Sequence, residues 1–393
     1  MSFDFDQILD RTATNSLKWS RPERLLTPEQ CAAKPLPMWV ADMDFKSPEV
    51  VLEALGDAVR QGVFGYPAGP TRSYVDAVID WQRRRFGWEP APEWLVLVPG
   101  VITGLKTVVQ AFSRPGDSVL VQPPVYVHFH HDPQLNGRWV AWAPLELRGE
   151  RYRFDERVFE AAIRPDTRIF ILSNPHNPTG NVWSEDELRA MGEICLRHGI
   201  LVVSDEVHQD LVLARDRRHI PFASLGPTFA ANSITCTAAS KTFNLAGLQC
   251  ANLFIPDRRR REEVRRQIDR NFYDKVNLLG MVATEAAYTG GEPWLAALLD
   301  YLRDNQRHFA ATLNAASARV KVFEMDSMYL AWIDFRGLGL APAELSQFLL
   351  TRGRVWLDQG PKFGPEGHGF MRANLGCPRR LVDEALDRLK ACL

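Results

Sequence analysis

Between about residues 95 and 255, short apolar runs rich in β-branched residues alternate with longer stretches whose apolar positions recur at helical spacing. The runs fall at 95–98, 118–121, 168–172, 200–203, 233–236 and 253–255. They are continuous rather than alternating, as expected of strands covered on both faces. This repetition predicts βαβ units, hence an α/β fold whose large domain is a doubly wound, mostly parallel sheet covered by helices. Between two of the runs, Ser184-Glu185-Asp186-Glu187 reads as a capping box that opens a helix running to about His198, with Gly199 as its stop.

After about residue 280 the texture changes to long helical stretches at 283–288 and 294–313. A strand-like segment at 329–335 and a Gly/Pro-rich loop at 359–369 follow, so the pattern predicts a second, smaller α+β domain. The expected organisation is an N-terminal segment (1–45) packed on the small domain or a partner, a large domain (46–280) and a small C-terminal domain (281–393). No internal repeat or low-complexity tract interrupts it.

With 393 residues the chain holds about two domains at roughly 100–200 residues each. Its 47 Lys plus Arg balance 48 Asp plus Glu, so no field exists for polyanions or membrane surfaces, and no nucleic-acid partner is expected. The arginine runs Arg83-Arg84-Arg85 and Arg258-Arg259-Arg260-Arg261 read as solvated helix faces, and the eleven tryptophans read mainly as core. Six scattered cysteines form no Cys-x-x-Cys pair, which argues against a disulfide framework or zinc knuckle and fits a cytoplasmic protein; Cys236 and Cys250 read as packing residues. The acidic start Met1-Ser2-Phe3-Asp4 lacks a leader pattern, and no run reaches the roughly 18 apolar residues of a membrane span, so neither export nor anchoring is expected.

Ligands of open parallel sheets bind beyond the carboxyl ends of the strands, so the polar residues after each run are the first candidates for chemistry. Pro99-Gly100-Val101-Ile102 leads into a helix start that offers free backbone N–H groups to a phosphate. Asp205, in Ser204-Asp205-Glu206-Val207-His208, is an acid that burial penalises unless a cation meets it, though a helix cap is the plainer reading. Lys241, in Ala239-Ser240-Lys241-Thr242, follows an interior strand where dry surroundings would free its amine; a solvated loop lysine is the alternative. Asn174-Pro175-His176-Asn177-Pro178-Thr179-Gly180 is a stiff, irregular loop. Arg372 sits beside a glycine-rich loop and suits bidentate capture of a carboxylate. No dinucleotide or P-loop glycine motif is present.

Jointly these residues resemble the fold-type-I pyridoxal phosphate (PLP) enzymes of the class I/II aminotransferase family. Ser240-Lys241-Thr242-Phe243-Asn244-Leu245-Ala246-Gly247-Leu248 looks like the lysine motif. The pieces Trp39-Val40-Ala41-Asp42-Met43-Asp44-Phe45, 204–208 and 370–378 are similar to the cystathionine β-lyase, or carbon–sulfur lyase, branch. The resemblance implies the PLP transferase fold, with Lys241 holding the cofactor as an internal aldimine and shuttling the Cα proton. It further implies that Asp205 pairs with the ring nitrogen, Asn177 and His208 face the ring 3-oxygen, and Tyr126 stacks on the ring. Val101, Ile102 and Ser240, with help from Thr237, would take the phosphate, and Arg372 the substrate carboxylate. Tyr66 would reach across a homodimer interface toward phosphate and substrate, in an active site shared between subunits.

The implied reaction on a small amino-acid substrate is β-elimination from cystathionine or a cysteine S-conjugate, giving thiol, pyruvate and ammonia. Transamination uses the same residues and stays open, as does a PLP-binding regulatory role. The histidines of Val127-His128-Phe129-His130-His131 depart from the family pattern and read as a polar loop, with no metal expected; Gly367-His368-Gly369 is a departure without an assigned role.

Overall fold

The computed structural model describes residues 3–393; Met1 and Ser2, which open the acidic start, lie outside the described residues. Seven strands, β1 (Leu95–Val98), β2 (Ser118–Val121), β3 (Trp139–Trp142), β4 (Thr167–Ser173), β5 (Leu201–Asp205), β6 (Ser233–Thr237) and β7 (Ala251–Phe254), form one sheet in the order β1-β7-β6-β5-β4-β2-β3. Neighbours from β6 across to β3 are parallel, and β7 alone runs antiparallel to both of its neighbours. The continuous apolar runs reflect this burial: Val119, Leu120, Ile169, Phe170, Ile234 and Leu253 are all fully buried. The edge strand β3 is absent from the predicted runs although Trp139-Val140-Ala141-Trp142 is apolar throughout; at the sheet edge it leaves Trp139 exposed.

Strand order reverses between β2 and β4, since β4, β5 and β6 succeed one another on one side and β3 lies on the other. At such a switch point the loops leaving adjacent strands splay apart and open a crevice at their carboxyl ends. The helix after β4 starts as its sequence predicts: Ser184 caps Glu187, Glu187 returns the bond, and Glu185–Arg197 ends before Gly199 at φ 65°.

A second, antiparallel sheet joins Lys321–Val322, Leu330–Asp334, Phe370–Asn374 and Asp358–Gln359. Helices Glu292–Ala316, Pro342–Thr351 and Arg379–Lys390 bury Phe309, Leu345, Leu349 and Leu386 against it. The glycine-rich segment 359–369 is not an open loop, because two 3-10 turns, Gly360–Phe363 and Pro365–Gly367, fold it. The N-terminal segment lies on both sheets' surroundings. Leu36–Pro37 pairs with Val355–Trp356, Phe5 packs edge-on against Phe45 and Trp294, and buried Lys18 meets Asp44 at 2.6 Å.

Arg83, Arg84, Arg258 and Arg259 are exposed, as their charge predicts, but the runs are not solvated throughout. Arg261 is buried and donates to Ile255 O at 2.6 Å, Arg84 donates to Tyr288 O at 3.0 Å, and Arg85 lies 5.6 Å from the centre of the Trp81 ring. Long aliphatic stems let these side chains cover apolar surface while their heads find carbonyls. Among the described residues no helix is long and apolar enough to cross a membrane.

Candidate active site

Five strand ends converge on one cavity of about 220 Å3. Beyond β1 the chain turns through Gly100, at φ 100°, into helix Val101–Phe112, which has no side-chain cap. A Cβ at Gly100 would meet the Gln249 Oε1 at 3.1 Å, so this turn needs glycine for its backbone angle and for space. The uncapped first turn at Val101 and Ile102 faces the cavity with the positive end of the helix. Tyr126 follows β2, Asn177 follows β4, Asp205 ends β5 and His208 lies in the turn after it. Ser240 and Lys241 come from the short helix Ala239–Thr242 that follows β6, and all of these side chains line the same space.

Arg372, on the second sheet, does not itself line the cavity but reaches Asn177, which does. Its Nη1 donates to Asn177 Oδ1 at 3.0 Å, which ties the two sheets together at the cavity. Tyr66 is elsewhere: it follows helix Glu49–Gln61 on an open stretch of chain and is 93% exposed in the single subunit. Thr237 lies outside the lining, buried with its hydroxyl unpartnered among the described residues.

Burial dominates the electrostatics. Lys241 is partly exposed at the cavity wall, yet the protein around its amine, reinforced by Arg372, lowers its pKa to about 8; Nζ donates to Ala41 O at 2.7 Å. Asp205, only 6% exposed, is raised to about 7 because its charge is desolvated, and the Val207 N–H at 3.1 Å offsets only part of that. His208 is held well below the ordinary imidazole range, first by burial and then by Lys241 and Arg372, so its ring is neutral. Desolvation likewise pushes Tyr126 up to about 12.

These groups fit PLP. A helix start awaits a dianion, a buried carboxyl without a salt bridge among the described residues awaits a cation, and a partly neutral amine awaits a carbonyl. Among the described residues His208 Nδ1 and Arg372 Nε are buried without partners, polar atoms that a ligand would satisfy.

The cavity also contains residues that motif reading passes over. Ala41, Phe129, Ser173, Gln249 and Cys250 line it. Cys250, read as core, is buried beside Tyr74 and also touches this space. The histidine segment is a helix, His128–Leu135, rather than a loop, and its turn brings Asp132 to accept from His128 Nδ1 at 3.0 Å. That carboxylate was the available signal, standing directly after His131.

The family model for aminotransferase class I and II matches residues 36–389. Cystathionine beta-lyase PatB of Bacillus subtilis (strain 168) is 44% identical over 391 residues, covering 99% of this chain and 100% of that protein. A PLP-bound putative aminotransferase from Clostridium difficile 630 superposes with a TM-score of 0.95 at 38% identity, over 100% of both chains. Cystalysin from Treponema denticola, which contains a pyridoxal 5'-phosphate cofactor, does so at 0.94 with 31% identity, over 99% of this chain and 98% of that one. The chain is therefore a PLP-dependent enzyme that belongs to the class I and II aminotransferase family, in its cystathionine β-lyase branch.

Proposed function

We propose that this enzyme is a carbon–sulfur β-lyase that cleaves cystathionine or a cysteine S-conjugate into a thiol, pyruvate and ammonia. The observation that carries this reading is one cavity lined by Lys241, Asp205 and Asn177, with Arg372 bonded to Asn177 behind it, in a chain similar end to end to a cystathionine β-lyase. Residues 46–280 would form the cofactor-binding domain and 281–393 the smaller domain that brings Arg372.

When bound, PLP supplies a sink for the electron pair released at the substrate Cα. Asp205 would hold the proton on the ring nitrogen, since a cation against it relieves the cost of ionising a buried carboxyl. The Val101 and Ile102 N–H groups, with Ser240 Oγ, would bind the phosphate. Tyr126 would cover a ring face. Asn177 Oδ1 already accepts from Arg372, so its Nδ2 remains to donate to the ring 3-oxygen, beside the neutral His208.

Lys241 would hold the cofactor through its amine and, with that amine free, would take the proton from the substrate Cα at Nζ. A pKa near 8 leaves a working fraction of the amine neutral at physiological pH and returns a good acid after protonation. That acid would be available to protonate the departing sulfur. Arg372 would hold the α-carboxylate and so fix which substrate bond faces Lys241. Water then completes the balance: one substrate and one water give one thiol, one pyruvate and one ammonium.

Transamination is the second reading, favoured by the 38% identity to a chain described as a putative aminotransferase. Purified enzyme incubated with cystathionine should release pyruvate and a free thiol. Exchange between an amino acid and a keto acid, with no pyruvate from cystathionine, would overturn the lyase reading and leave the cofactor assignment standing.

We also infer a homodimer. Val59, Val63, Phe64 and Tyr66 form an exposed apolar stretch that a second copy would cover, carrying Tyr66 toward the partner's cavity. Six free cysteines support a reducing, cytoplasmic setting.

A further inference from the structure

The guanidinium of Arg372 is engaged before any substrate arrives. Strand Phe370–Asn374 pairs with Asp358–Gln359 in a register that sets Asp358 directly opposite Arg372, where side chains touch across a sheet. Nη2 donates to Asp358 Oδ2 at 2.8 Å and to Trp39 O at 3.3 Å, while Nη1 donates to Asn177 Oδ1 at 3.0 Å. Nε is buried and has no partner among the described residues.

A carboxylate grips a guanidinium with two bonds along one flat edge, either Nε with Nη2 or Nη1 with Nη2. Nη2 belongs to both edges, and both of its hydrogens are committed. A substrate carboxylate can therefore be held twice only if Asp358 or the Trp39 carbonyl lets go. Of the two, Asp358 bears the charge that repels the newcomer. It also has an alternative partner, because its Oδ1 accepts from Lys362 Nζ at 2.9 Å, and Lys362 lies 5.7 Å from the centre of the Trp39 ring. The cluster Arg372, Lys362 and Asp358 carries two positive charges and one negative, which leaves one charge for a single substrate carboxylate to balance.

We propose that Asp358 is an internal counter-carboxylate on Arg372, displaced by the α-carboxylate of the substrate and retained by Lys362, and that this exchange sets substrate affinity. The inference rests on Arg372 being the carboxylate clamp. Asp358 keeps the arginine ordered in the resting enzyme and opposes substrate through competition for Nη2. It is a specificity-setting neighbour and touches no reacting atom.

The holoenzyme is titrated with L-alanine, which has the carboxylate and amine but no leaving group on Cβ, by calorimetry and by cofactor absorbance; KM and kcat for cystathionine are measured alongside. Asp358→Asn should lower the L-alanine Kd on the order of three- to tenfold, with KM falling in step and kcat changing less. Lys362→Met should raise Kd by a similar factor, because Asp358 then stays on Arg372. The double variant should match Asp358→Asn alone, since Lys362 acts only through Asp358.

Weaker binding in Asp358→Asn would mean that Asp358 merely braces the arginine and overturns the exchange. A double variant weaker than Asp358→Asn would mean that Lys362 touches substrate directly, which also overturns it. Should Asp358→Asn fail to fold, Lys362→Met and Lys362→Arg decide: the first must weaken binding and the second restore it, and parental binding in the first overturns the proposal. Arg372→Ala separates the two levels. Unchanged L-alanine affinity there sinks the clamp itself, whereas a large loss there with the wrong sign in Asp358→Asn sinks only the exchange.

Discussion

Asp205→Asn separates what this carboxyl costs the fold from what it gives the cofactor. Burial lifts the group from an ordinary 3.8 to about 7. At about 1.4 kcal/mol for each tenfold change in proton affinity, ionised Asp205 costs the cofactor-free fold about 4 kcal/mol. The unfolded chain loses this proton near 3.8 and the folded chain near 7, so between those values the folded state binds more protons. Stability consequently falls as pH rises through that window and levels off above about 7. Asparagine carries no charge and its Oδ1 still accepts the Val207 N–H that Asp205 receives at 3.1 Å. In urea unfolding of cofactor-free protein, Asp205→Asn should exceed the parent by up to about 4 kcal/mol at pH 8, by less than half of that at pH 5, and by almost nothing at pH 4. With PLP present the order should reverse, because the ring nitrogen of the variant has no anion to pair with and cofactor affinity drops. A cofactor-free variant no more stable than the parent at pH 8, or an advantage indifferent to pH, would refute the account of Asp205 as a buried anion waiting for a cation.

Lys241→Ala should reduce pyruvate release at least about 1,000-fold and leave no cofactor fixed to the protein after borohydride reduction; a reduced adduct in the variant would point to another lysine. In the parent, the rate of cofactor attachment to stripped enzyme, followed by stopped-flow absorbance, should rise with pH through about 8 as the amine loses its proton, then level off. Trp332→Ala removes a fully buried ring stacked at 5.2 Å on Phe370 and should cost about 3–5 kcal/mol in denaturant unfolding. Asp44→Ala strands Lys18, buried and 2.6 Å from the lost carboxylate, and should cost about 3–5 kcal/mol, whereas Lys18→Met with Asp44→Asn together should recover most of it.

Strand positions were readable wherever both faces of the sheet are covered, since burial on two sides writes an unbroken apolar run. Edge strand β3 was not singled out although Trp139-Val140-Ala141-Trp142 is apolar throughout, because it holds a single β-branched residue. The arginine runs misled in part, for a different reason: charge reports the head of the side chain, and only the packed structure shows Arg261 turning that head onto the Ile255 carbonyl. The histidine segment gave a similar lesson, as the bond from His128 to Asp132 requires the helical turn that brings them together.

The candidate site divides in the same way. Lys241, Asp205, Asn177 and Tyr126 stand next to strand ends, and a parallel sheet delivers all its carboxyl ends to one side, so their convergence follows from the pattern alone. Arg372 carries a residue type suited to a carboxylate, and its sequence neighbourhood announces that much.

Residue order along this chain was enough to settle the α/β architecture and to bring Lys241, Asp205, Asn177 and Tyr126 to one side of the sheet, because each depends on local periodicity or on adjacency to a strand. Tertiary structure alone decided how those groups are tuned and partnered. The raised Asp205, the lowered Lys241 and the pairing of Asp358 with Arg372 arise from desolvation and from cross-strand register between segments far apart in sequence, and neither is encoded in any short stretch of residues.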